Sequence, residues 1–141
     1  MTMDSAIWLL TELPKWFFSS LRDPFGAGAL TFIPFVGIWA LVVGVILLFW
    51  GRTVRLLWFI VPISISTVFV AAAGLFRGVF SDLVAYWFLP VFSFSYLGIV
   101  FFLVYYCRKH WLPALLFATF NLSYGVFALF IGYMSLTDNW L

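Results

Sequence analysis

His110 and Cys107 are the single histidine and the single cysteine of this 141-residue sequence, and both stand in the stretch CRKHW (107–111). One cysteine and one histidine cannot build a zinc site alone, since such sites take three or four protein donors. A haem held by two intramembrane histidines on this chain is excluded by the count. The lone cysteine cannot form an intrachain disulfide and fixes no redox compartment. There is no carboxylate pair suited to acid–base work, no glycine-rich phosphate loop, and no Ser–His–Asp set. The residues therefore predict a protein that is not an enzyme and carries no cofactor or metal. His110 with Arg108 and Lys109 reads as a solvated basic loop at a cytoplasmic face, with lipid-headgroup or partner contact as the alternative. Cys107 reads as an inert interfacial thiol, with palmitoylation as the alternative.

One polar residue stands where chemistry is least expected. Asn121 lies near the centre of LPALLFATFNLSYGVFALFIGYM (112–134), a stretch without charge. Steps of three and four residues from it give Ala114, Ala118, Gly125, Ala128 and Gly132, all small. In lipid no hydrophobic force joins helices; small residues let backbones approach, and van der Waals contact and hydrogen bonds then hold them. The spacing is that of a left-handed seam. Two more seams follow the same pattern: Gly37, Ala40 and Gly44, and Ser64, Thr67, Ala71 and Gly74. The amide of Asn121 is expected to bond across the bundle to Ser64, Ser66, Thr67, Ser93, Ser95 or Tyr96, fixing helix register. A polar contact in a binding site or water path, or an oligomer interface, are the other roles open to it.

Four uncharged runs could carry these seams: 29–50, 56–76, 83–106 and 112–134. Each approaches or exceeds the ~20 apolar residues that cross a hydrocarbon core. The connections GRTVR, RGVFSD and CRKHW are short, so successive helices should run antiparallel side by side. The expected fold is all-α: an antiparallel four-helix transmembrane bundle over 26–141, preceded by an interfacial amphipathic helix and elbow over 1–25. In that first segment Ile7, Leu10, Leu13, Phe17 and Leu21 share one side, and Glu12, Lys15, Ser19 and Arg22 another. A kink is expected at Pro14. The bulky third run, with Tyr96, Phe101, Phe102 and Tyr105, should fill space with rings or present them outward. Trp39, in mid-span, is explained by lipid exposure or by a buried partner.

Composition agrees. Hydrophobic residues make up 66% of the chain and charged ones 9%, where soluble domains carry about 25%. A net charge of +2, scattered along the chain, does not suggest nucleic acid. Arg52, Arg55, Arg108 and Lys109 fall in the first and third connections, against Lys15, Arg22 and Arg77 on the other side. By the positive-inside rule both termini lie on the non-cytoplasmic side, in a bacterial inner membrane or its equivalent.

The expected function is a structural or accessory subunit of a larger membrane complex. Its partners would be membrane lipids and other membrane subunits or further copies of itself. A self-assembling, holin-like channel is an alternative, lined by Ser64, Ser66, Thr67, Ser93, Ser95, Thr119, Asn121 and Ser123. A carrier of an apolar ligand such as lipid or quinone is another.

Overall fold

In the computed structural model, which describes residues 3–26, 29–51, 54–76 and 82–137, every regular element is helical. The helices are α1 (Met3–Ser19), α2 (Ala29–Gly51), α3 (Ile60–Leu75), α4 (Asp82–Tyr106) and α5 (Trp111–Thr137). A 3-10 turn over Val54–Phe59 leads into α3, and a second, Arg108–His110, joins α4 to α5. The first of these replaces the opening turn expected of the second run. Pro62 falls in the first turn of α3, where its missing N–H removes no helical bond. Four stretches are long and apolar enough to cross a membrane: Thr31–Trp50, Val54–Leu75, Trp87–Tyr106 and Arg108–Thr137.

The hub is α5. It packs against α2, α3 and α4, whereas α4 scarcely meets α3. Burial reflects this: 56% of the α5 window lies inside the molecule and only 17% of the α4 window. Around α5 both small and large residues are buried, from Ala114, Ala118 and Ala128 to Phe117, Phe120, Tyr124 and Met134. On α4 the inward edge is Tyr96, Val100 and Leu103; Trp87, Val91, Phe94, Phe101, Phe102 and Tyr105 face out. Trp39 also faces out, edge-on to Phe35 at 6.4 Å.

The first helix, α1, packs against α3, α2 and α5. Its buried edge is Leu9, Leu13, Phe17 and Ser20; Ile7 and Leu21 are exposed and Leu10 is half-buried. Leu9, Leu13 and Phe17 belong to one core cluster with Phe69, Val70, Ala73, Phe120 and Tyr124, so α1 shares a core with α3 and α5. The apolar side read from periodicity is broader than the groove available to it. A single ring decides the docking. Phe17 meets Phe120, Tyr124 and Phe127 edge-on, with centroids 5.9, 5.4 and 5.7 Å away. Ser19 and Ser20 then close the helix end by donating to the carbonyls of Trp16 and Phe17. The chain turns through 21–26, where the Thr31 hydroxyl of α2 donates to Pro24 O at 3.0 Å.

Candidate functional site at the centre of the bundle

The polar residues of α3, α4 and α5 converge near the middle of α5. Asn121 is fully buried, yet its amide does not bridge helices. Nδ2 donates to Phe117 O, one turn back on the same helix, at 2.8 Å. The bond between helices runs to its backbone: the Tyr96 hydroxyl of α4 donates to Asn121 O at 2.6 Å. A second link joins Thr67 of α3 and the Tyr124 hydroxyl at 3.1 Å, and a third has Ser135 donating to Ala73 O at 3.2 Å. Ser66 Oγ and Asn121 Oδ1 are buried with no hydrogen-bond partner, Ser66 standing near the Tyr96 hydroxyl without closing a bond to it. Of the partners expected for Asn121, then, Tyr96 makes the contact, and it makes it to a carbonyl that any residue would supply.

This geometry separates two substitutions. Tyr96→Phe removes the interhelical bond and should lower stability by about 0.6–1.7 kcal/mol. Asn121→Ala removes an acceptor that lacks a partner and a bond back to Phe117 O within the same helix, so it breaks no link between helices and should cost less than Tyr96→Phe. Unfolding of each variant by titration with denaturing detergent measures the difference.

The small-residue seams divide in a similar way. On α5, Ala114, Ala118, Asn121, Gly125, Ala128 and Gly132 are all buried, and on α2 so are Gly37, Ala40 and Gly44. On α3 the expected stripe is displaced: Ser64 is exposed and bonds back to Ile60 O, and Thr67 and Ala71 are half-buried. Only Gly74 of that stripe is buried, alongside Pro62, Ser66, Phe69, Val70 and Ala73. Small size alone could not choose between the two neighbouring faces of α3. The face carrying Phe69 and Val70 offered more apolar surface to the core.

Nor do Gly44, Gly125 and Gly132 bring backbone to backbone. A Cβ on Gly125 would stand 2.5 Å from Tyr96 Cε1, and one on Gly132 would overlap the edge of the Phe69 ring, 2.8 Å from Cζ. These two glycines are sockets for rings from α4 and α3. A Cβ on Gly44 would touch Phe117 and Leu116 at ordinary distance. Gly37 does come close to a neighbouring backbone: a Cβ there would meet the Ser123 side chain at 2.6 Å, with Phe120 Cα 3.7 Å away.

The hydroxyls expected to line a channel are scattered rather than gathered on one surface. Ser66 and Ser123 are buried, while Ser64 and Ser95 are exposed. Ser64, Thr67, Ser95, Thr119 and Ser123 each donate to a carbonyl of their own helix.

Away from the centre, Arg55 lies over the Tyr106 ring at 5.6 Å and Arg108 over Tyr105 at 5.3 Å. Lys109 is exposed beside them, and Arg52 lies outside the described residues. Cys107 is buried, its thiol donating to Arg55 O at 3.7 Å. Burial pushes that thiol up, with Arg55 pulling the other way. The reactive thiolate is therefore scarce at neutral pH. Cys107 should resist maleimide in the folded protein, react faster as pH rises, and label fully once the chain is unfolded; mass shift on labelling reads the outcome. Among the described residues no three of His, Cys, Asp and Glu come together as metal ligands would.

Comparison with protein-family models, with curated proteins and with solved structures finds no match to this chain.

Proposed function

We propose that this chain is an integral, multi-pass membrane protein that serves as a structural subunit of a larger membrane complex and performs no catalysis itself. In this reading α2 to α5 cross the bilayer alternately up and down. The proximity of Gly37 to Ser123 and of Gly44 to Phe117 supports α2 running against α5. Phe59 on Phe117 and Ser135 on Ala73 support α3 running along it. Arg55, Arg108 and Lys109, with Arg52, then share one end, which faces the cytoplasm by the positive-inside rule. Both termini lie opposite, in a bacterial inner membrane or its equivalent.

One observation carries the subunit reading: the charged edge of α1 stands beside the middle of α5. Phe17 touches residues 120, 124 and 127 of a helix that runs from Trp111 to Thr137. Lys15 and Ser19 lie two residues to either side of Phe17, and Arg22 follows in the turn. All three are exposed and border an open groove of about 500 Å³ with Phe18 and Leu21. With α5 spanning, the part of that edge around Phe17 sits on the order of 10–15 Å below either surface of a ~30 Å hydrocarbon core, and Arg22 lies toward the end at which Thr31 opens its span. A charge at such depth costs at least about 2.5–3.5 kcal/mol against lipid. Irregular backbone at that depth is tolerated only where protein or water covers it. Lys15 and Glu12 relieve each other at 2.6 Å, but Arg22 has no carboxylate partner among the described residues. A polar surface on a neighbouring subunit would solvate this edge.

Photocrosslinking tests it. A maleimide crosslinker is placed on Ser19→Cys in a Cys107→Ser background, in native membranes. An adduct with a different polypeptide in fixed ratio is the expected result. Adducts with the chain itself, together with ion flux in liposomes, would favour the channel. Adducts with lipid or quinone alone would favour the carrier, and either outcome overturns the subunit reading.

A further inference from the structure

The other end of the bundle has an unbalanced charge that the subunit reading leaves unused. The sequence has five acidic residues, Asp4, Glu12, Asp23, Asp82 and Asp138, and none falls in the first or third connection. Asp82 opens α4, a full helix length (about 37 Å) from Tyr106. Asp138 comes after α5 in the sequence, and α5 carries Thr137 about 39 Å from Trp111. Glu12 and Asp23 belong to α1 and its elbow, and α1 packs on α2, α3 and α5 rather than on either 3-10 turn. Arg55, Arg108 and Lys109 thus gather with no carboxylate of their own connections to neutralise them, and the Cys107 thiol ties the two connections together at Arg55 O.

We propose that this end binds an anionic phospholipid, its phosphate held by Arg55 and Arg108 and its acyl chains laid along the outward face of α4. Each guanidinium rests on a tyrosine ring, 5.6 Å above Tyr106 and 5.3 Å from Tyr105. Contact with the ring restrains each guanidinium, whose planar fork of N–H donors matches phosphate oxygens in a way a lysine ammonium does not. Below the rings the face of α4 stays apolar and uncovered. Phe102 stacks on Tyr106 at 6.3 Å, and Phe101 and Phe94 are about two-thirds to three-quarters exposed. Between them Gly98 is open: a Cβ there would meet nothing within 4 Å. The ring row therefore has a notch one side chain deep, on the same face and within acyl reach of the two arginines. Charge selects the headgroup, and the notched row accepts a chain.

This site rests on the membrane-spanning reading but not on the subunit partner. The test is native mass spectrometry of the full chain in mild detergent, offered phosphatidylglycerol or phosphatidylcholine of identical acyl chains. The wild-type chain should retain phosphatidylglycerol preferentially, and the preference should fall as salt is raised. Arg55→Gln with Arg108→Gln should lose that preference by about thirtyfold, with phosphatidylcholine binding unchanged. Lys15→Gln with Arg22→Gln should keep it. Equal retention of both lipids by the wild type overturns the site, as does loss of selectivity in the Lys15/Arg22 variant alone. The wild-type salt series needs no variant, so the proposal stays testable if the arginine double variant misfolds. A wild-type chain that retains no lipid of either kind would instead overturn the membrane reading itself.

Discussion

Phe17→Ala should release the first helix from the bundle. The expected loss is about 3–5 kcal/mol, the range for emptying a fully buried phenylalanine site. The upper part of that range applies because Phe17 is 1% exposed and its ring is the meeting point of three others, Phe120, Tyr124 and Phe127. Edge-on ring pairs add about 0.5–1.5 kcal/mol beyond area burial. Because α5 is continuous and packed on α2, α3 and α4, its helix should survive the change. The result should be graded. Protease should cleave within 3–26 in the variant under conditions where the wild type is protected, while helix content measured by circular dichroism falls by no more than the share of α1. Protection of α1 equal to the wild type would show that Leu9 and Leu13 hold it without the ring. Phe18→Ala is the matched control: Phe18 is 48% exposed and should cost little.

The second large effect is expected at Gly132. Leucine there must displace the Phe69 ring, which is held on its other side by Phe92 at 4.6 Å and Phe88 at 5.9 Å. Overpacking a filled site costs about 1–3 kcal/mol and sometimes more. The lack of room for Phe69 to swing points to the upper end. The decisive measurement is the coupled variant. Gly132→Leu with Phe69→Ala should be more stable than Gly132→Leu alone, because the new side chain takes the volume the ring vacates. If the glycine instead allowed two backbones to touch, trimming Phe69 would bring no recovery. Gly98→Leu should be nearly silent in the same assay, since nothing stands near its face.

These two positions show how unevenly the chain could be read. Gly132 and its companions Ala114, Ala118, Gly125 and Ala128 stand out by spacing alone, and all are buried. What fills the space above them is not visible in a spacing. A groove lined by glycine can hold a backbone or a ring, and Phe69 and Tyr96, 63 and 29 residues from the glycines that receive them, are matched to those sockets only by the way the helices register. Asn121 has the same character. Its burial follows from the stripe it shares, but whether an amide bonds across the bundle or back to Phe117 O depends on rotamer and neighbour, and the nearer carbonyl needs no docking. Ser64 and Ser66 lie two residues apart with similar chemistry. Only the cores of α3 and α5, meeting at Phe69 and Val70, chose which one turned inward.

The number of helices, their lengths and the basic character of one end are properties of composition and order. Long uncharged runs must satisfy their own backbone, and helices do this locally, so no distant residue is consulted. The placement of α1 is different in kind. Its periodicity marks an apolar side, and an interface or a groove would satisfy that side equally well. The groove exists only once α2, α3 and α5 have assembled, and Phe17 fits it because three rings from one helix surround a single site. That is a contact between residues a hundred positions apart, and no local pattern encodes it.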